Sequence, residues 1–167
     1  MIANRLITVS LNKRPWEVDV RIWRLLTICT FAALAGCASS SGEKFADANV
    51  AAPKLASDKG RIYFYRSGSI VGAAIQPEIK LNSEPVGRAV PGGFFFVDRP
   101  RGSYEASTAT EAETKFAFAL TSGETKYIRI SISPGVFAGH MQFELVNKPV
   151  AEAELASLNR TETIASR

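Results

Sequence analysis

Cysteine and histidine are scarce in this chain. Its 167 residues hold two Cys and one His, which excludes a disulfide framework and leaves too few ligands for a zinc cluster. Long hydrophobic runs are missing as well. The longest, Leu25 to Leu34, covers about ten residues before dissolving into Ala38-Ser39-Ser40-Ser41-Gly42, whereas a spanning helix needs about 20. Charge of one sign is absent from most of the chain. The formal net charge is +4, yet Arg5, Lys13, Arg14, Arg21 and Arg24 precede Gly36 against only Glu17 and Asp19. Beyond Gly36 there remain 15 basic and 14 acidic residues, so no nucleic-acid partner is expected. Aromatic residues, in contrast, are plentiful. Ten Phe and 4 Tyr argue for one folded domain with a sheet-rich core.

The N-terminal segment reads as an export signal over residues 1–36. Arg21 and Arg24 flank the apolar run, and small residues close it at Ala35-Gly36. The tetrad Leu34-Ala35-Gly36-Cys37 resembles the lipobox of bacterial lipoproteins. That resemblance implies alkylation of the Cys37 thiol by diacylglycerol and cleavage just before it. Cys29 would leave with the signal, and the mature chain would have no disulfide in an oxidising compartment. With Ala38-Ser39 after the cysteine, sorting to the periplasmic face of the outer membrane is expected.

Residues 38–58 are rich in Ala, Ser, Lys, Asp and Asn without a period, and predict a flexible tether following the lipidated cysteine. From Lys59 to Lys148 the texture is that of a sheet domain. Arg61-Ile62-Tyr63-Phe64-Tyr65-Arg66 sets Ile62 and Phe64 opposite Tyr63 and Tyr65. Glu78–Asn82, Val86–Ala89, Gly93–Asp98, Ser103–Ser107, Lys115–Leu120, Lys126–Ile132 and Met141–Val146 follow, with a turn at Asn82-Ser83-Glu84-Pro85 and a hairpin signal at Thr121-Ser122-Gly123-Glu124. The pattern predicts an all-β fold, an antiparallel β-sandwich of about seven or eight short strands. Residues 149–167 predict a short C-terminal helix of good helix formers and a frayed tail.

The order of the aromatic strand Arg61–Arg66, the strand Ile79-Lys80-Leu81-Asn82, Gly93-Phe94-Phe95-Phe96-Val97-Asp98, the turn Pro100-Arg101-Gly102-Ser103-Tyr104 and Tyr127-Ile128-Arg129-Ile130-Ser131 resembles the bacterial lipoprotein domain of unknown function 2846. The likeness covers about residues 59–148. It extends to small periplasmic sandwiches of the PEGA type, which carry a similar Pro-Gly-x-Tyr turn. It implies an envelope lipoprotein with a sandwich fold, and no activity or catalytic residues.

Catalytic chemistry finds little to stand on. His140 is the lone imidazole and precedes a strand; a capping or exposed role is the expectation. Ser67-Gly68-Ser69 and Gly72 do not form a Gly-x-Ser-x-Gly elbow. Glu111 and Glu113 read as a solvated loop, and Arg99 and Arg101 as exposed turn residues. No catalytic residue, metal or cofactor is expected. Two loops are unusual, because loops are normally polar. Residues 67–75 and 133–139 are punctuated by glycine yet carry Ile70, Val71, Ile75, Val136 and Phe137. Either these side chains close one end of the sandwich, or they form an apolar patch for a partner or a membrane surface. Phe137 and Ile75 are expected in the core, Ile70 and Val71 at an exposed tip. The partners expected are the membrane, through the lipid anchor, and an envelope protein or peptidoglycan. An envelope hydrolase or transferase is the competing class, and it would require a nucleophile and base that the sequence does not display.

Overall fold

The computed structural model describes residues 41–70, 72–133 and 139–164. The signal segment and Cys37 lie outside the described residues. Helix α1 spans Phe45–Ala51. Eight strands follow: β1 (Lys59–Arg66), β2 (Glu78–Leu81), β3 (Glu84–Arg88), β4 (Gly93–Pro100), β5 (Gly102–Ala109), β6 (Glu113–Leu120), β7 (Thr125–Ser133) and β8 (His140–Val146). Helix α2 (Lys148–Leu155) and the short β9 (Asn159–Arg160) complete the described elements. The described residues are mostly β, in two sheets with two short helices. One sheet runs β8-β7-β1-β4-β9 and the other β3-β2-β5-β6.

Alternation along each strand sends one set of side chains between the sheets. Ile62 and Phe64 of β1 meet Ile79, Leu81, Val86, Phe95, Ala106, Leu120, Ile128, Ile130 and Met141 in one buried cluster drawn from both sheets, a sandwich-like arrangement. The turn expected at Asn82-Ser83, both with positive φ of 50° and 69°, closes a β2–β3 hairpin. The hairpin expected at Thr121–Glu124 is corrected: the turn forms but joins no hairpin. It carries the chain from β6, paired with β5, to β7, paired with β1 and β8. The expectation of a purely antiparallel fold is corrected there: β7 lies parallel to β1, and β9 parallel to β4. The physical reason is that the chain crosses from the other sheet at Thr121–Glu124, beside the start of β1, where Gly123 N donates to Lys59 O, so β7 sets out from the same end as β1.

A second correction concerns residues 38–58. Rather than a free tether, this stretch includes α1, whose Phe45 and Ala48 are buried. Phe45 meets Tyr63 and Phe94 edge-on at 5.9 and 5.4 Å. Together with Ala151, Leu155 and Leu158 around α2, it covers Tyr63, Tyr65, Phe94 and Tyr127 on the outer face of the five-stranded sheet. β1 is therefore buried on both faces, under a helical layer of which the sequence announced α2 but not α1. The tail is the third correction. Thr161 N donates to Phe94 O (2.8 Å) and Ile164 N to Val86 O (3.0 Å), so residues 161–164 stitch the β4 side of one sheet to β3 of the other. On the opposite side, Thr114 Oγ1 donates to Met141 O at 2.9 Å, bringing β6 against β8.

Candidate functional site

The two apolar loops leave the fold at one end of the five-stranded sheet, and their footings are rigid. At the end of β1, Arg66 is 3% exposed. Its guanidinium donates to the carbonyls of Ile75 (2.6 Å), Gly72 (2.9 Å) and Ala89 (3.0 Å). A planar fork of donors suits this convergence of carbonyls. Burial pulls the Arg66 guanidinium below its ordinary value, without bringing so strong a base near neutrality. Two tight turns shape the loop, with Ala73 N donating to Ile70 O and Ile75 N to Gly72 O at 3.2 and 3.0 Å.

The footing of the second loop meets the first at Ile132. Gly72 has φ +70°, and a Cβ there would come within 2.8 Å of the Ile132 side chain. Gly139 has φ +78°, and its Cβ would meet Ser133 O at 2.7 Å and Ile132 at 3.1 Å. Both positions thus need glycine, for conformation and for space. Gly139 is further pinned by Glu111 Oε1, which accepts from its N–H at 2.9 Å, and by Thr110 Oγ1, which donates to its carbonyl at 2.7 Å. Glu111 is exposed in its loop and also anchors the neighbouring one, while Glu113 is exposed and faces Lys115 at 3.9 Å.

Of the apolar loop residues, Ile70 is 96% exposed and Ile75 is half-buried. Val71, Val136 and Phe137 lie outside the described residues. His140 is exposed at the start of β8 and its carbonyl accepts from Ser133 Oγ at 3.3 Å. Among the described residues no cluster of His, Cys, Asp and Glu is arranged to hold a metal ion.

Two polar and aromatic groupings went unread in the sequence. Beneath α2, Tyr65 donates to Glu154 Oε2 at 2.7 Å and Tyr127 to Glu152 Oε1 at 3.4 Å, while Arg129 bridges Glu154 and Glu144. Burial pushes the Tyr65 hydroxyl well up and the Tyr127 hydroxyl up to about 12; each loses charge stabilisation from water and faces a carboxylate. These donors are all engaged in docking the helix to the sheet. Tyr104, Phe118 and Phe116 of the other sheet and Phe143 of β8 form a row of half-buried rings that crosses between the sheets, with successive centroids 6.1, 6.0 and 6.4 Å apart. The row packs against the core from the β6 side.

A third feature is an open depression of about 530 Å³ beside the first described residues, lined by Gly42, Glu43, Arg160, Thr161, Glu162 and Thr163. Here residues 42–44 lie along β9, with Arg160 N donating to Glu43 O at 2.7 Å and Lys44 bridged to Asn159.

Compared with known proteins, residues 56–141 match the family model described as "Protein of unknown function (DUF2846)". No curated protein and no solved structure matches the chain.

Proposed function

The chain belongs to the DUF2846 family, and from that premise we propose that it is a lipid-anchored protein of the bacterial cell envelope whose β domain serves as a non-enzymatic binding or structural module. The observation that carries the reading is the tetrad Leu34-Ala35-Gly36-Cys37 at the end of a short apolar run with basic flanks. A thiol is the nucleophile that diacylglyceryl transfer requires, and the small residues before it let the backbone enter a peptidase site. Support for a binding role comes from the loop end of the domain. Arg66, Ile132, Thr110 and Glu111 fix the feet of two loops, and the tip at Ile70 projects apolar surface. Rigid feet beneath an exposed apolar tip suit docking, because little ordering entropy is lost on contact. The sequence Ala38-Ser39 after the cysteine directs the anchored chain to the periplasmic face of the outer membrane in a two-membrane host, where peptidoglycan or another envelope protein would be within reach.

The experiment is metabolic labelling with a clickable fatty acid followed by separation of inner and outer membranes. The natural chain is expected to carry the label and to sediment with outer membrane. Cys37→Ala is expected to lose the label and the membrane association together. A variant that remains labelled and membrane-bound would overturn the lipoprotein reading.

A further inference from the structure

The place where the anchored segment joins the fold adjoins the exposed loop tip. Gly68, two residues before Ile70, lies against Gly92, where a Cβ would sit 3.8 Å from Gly92 Cα. Gly92 O accepts from Asn159 N at 3.0 Å, and Asn159 is bridged to Lys44. Gly42 lies directly on the Arg160 carbonyl, with no room for a side chain. The loop tip, β9 and the incoming N-terminal segment are therefore consecutive neighbours on one margin of the five-stranded sheet.

Chain length converts this adjacency into an orientation. Cys37 precedes Ser41, the first described residue, by four positions, and a chain spans at most ~3.6 Å per residue, or about 14 Å here. A diacylglyceryl group on Cys37 would hold the β9 margin within that distance of the headgroups. We infer that this margin faces the lipid bilayer, with Ile70 entering the interface as a second, noncovalent contact beside the lipid anchor. The inference rests on the proposed lipidation of Cys37. Ile70 is almost fully solvated in the domain, so its transfer to an apolar medium costs no internal packing. Lys44 is exposed at the same margin and supplies a cation to headgroup phosphates. Single acyl anchors hold proteins weakly and gain from a second attachment; for a diacylated chain the added contact fixes which face is presented outward. The opposite end of β1, at the Thr121–Glu124 turn, would then point away from the membrane.

Tryptophan fluorescence can test this. The chain's two Trp, Trp16 and Trp23, precede Cys37, so the processed protein would contain none. The full lipidated protein is purified from membranes as Ile70→Trp and, separately, as Ser122→Trp, an exposed site at the far turn. Each is placed in vesicles of phosphatidylethanolamine and phosphatidylglycerol, with and without brominated acyl chains. Emission from position 70 is expected to shift to the blue and to be quenched by bromine, while position 122 keeps water-like, unquenched emission. A lipidated Ile70→Trp protein with water-like emission, or equal quenching at both positions, would overturn the orientation alone. A purified chain without fatty acid on Cys37, read by mass spectrometry, would overturn the lipidation reading and this one with it.

Discussion

Arg66 illustrates how one side chain organises a loop that the sequence presents only as an apolar anomaly. Its three carbonyl acceptors belong to residues 72, 75 and 89, so the guanidinium ties together the loop after β1 and the chain leaving β3. Replacing it with methionine keeps much of the buried volume but leaves several carbonyls without their donor. Arg66→Met is expected to cost on the order of 3 kcal/mol, measured by urea denaturation, and to open the 67–75 loop to limited proteolysis. Unchanged stability would mean that the carbonyls find other donors at no cost. An arginine at the end of an aromatic strand gave no signal of this role, because its acceptors are backbone groups whose positions depend on the folded loop. Ile70 and Ile75 make the same point from the other side. Ile70, expected at an exposed tip, is solvated, whereas Ile75, expected in the core, is only half-buried in the tight turn that Gly72 begins.

Among the elements, α1 is the one whose removal should be felt most. Its sequence, Phe-Ala-Asp-Ala-Asn-Val-Ala, contains several weak helix formers and spans only 7 residues, with no side-chain cap at its start. Such a segment does not hold a helix alone. It forms because Phe45 and Ala48 have an aromatic surface waiting, built by Tyr63 and Phe94. Phe45→Ala is expected to lower stability by about 3 kcal/mol, and trimming the chain to begin at Lys59 should lower the melting temperature further, by uncovering that surface. Identical calorimetric melts for trimmed and untrimmed domains would return residues 38–58 to the status of a tether. β9 is similar in kind: two residues carry no strand signal, and pairing with Gly93 and Phe94 alone defines it.

For the whole molecule, the outer face of the five-stranded sheet makes stability depend on alkaline pH. Tyr65 and Tyr127 have their pKa raised above the ordinary value of 10.0, Tyr127 to about 12, with burial as the leading cause and Glu154 or Glu152 adding to it. A folded-state pKa above the unfolded one means that the native state holds its proton longer. The stabilisation is fully present below about pH 10 and declines as pH rises through the folded values. Urea midpoints are expected to be level from pH 8 to about 9.5 and to fall steadily between about pH 10 and 12. Tyr65→Phe removes one of the two hydroxyls and should make that fall shallower, at a cost near neutral pH of about 1 kcal/mol for the lost hydrogen bond. A midpoint independent of pH up to 12 would show that these hydroxyls ionise without strain.

Local pattern determined a good deal by itself. Period-two alternation marked the strands between Lys59 and Val146, since a strand with one buried face repeats every second residue whatever lies opposite. Good helix formers within residues 149–167 marked the helix that became α2, and Asn82-Ser83-Glu84-Pro85 marked a turn, because these residues favour the backbone angles those positions require. The motif ending at Cys37 carries the proposed anchoring, since the chemistry of that site would be read by enzymes from the extended chain. Tertiary structure decided the rest. It made β1 an interior strand with a parallel neighbour, gave it a second buried face under two helices, and brought the loop at Ile70 near residues 42–44. None of this is periodic along the chain: each depends on contacts such as Gly92 with Asn159 and Phe45 with Tyr63, whose partners are separated by many residues and meet only after both sheets have formed.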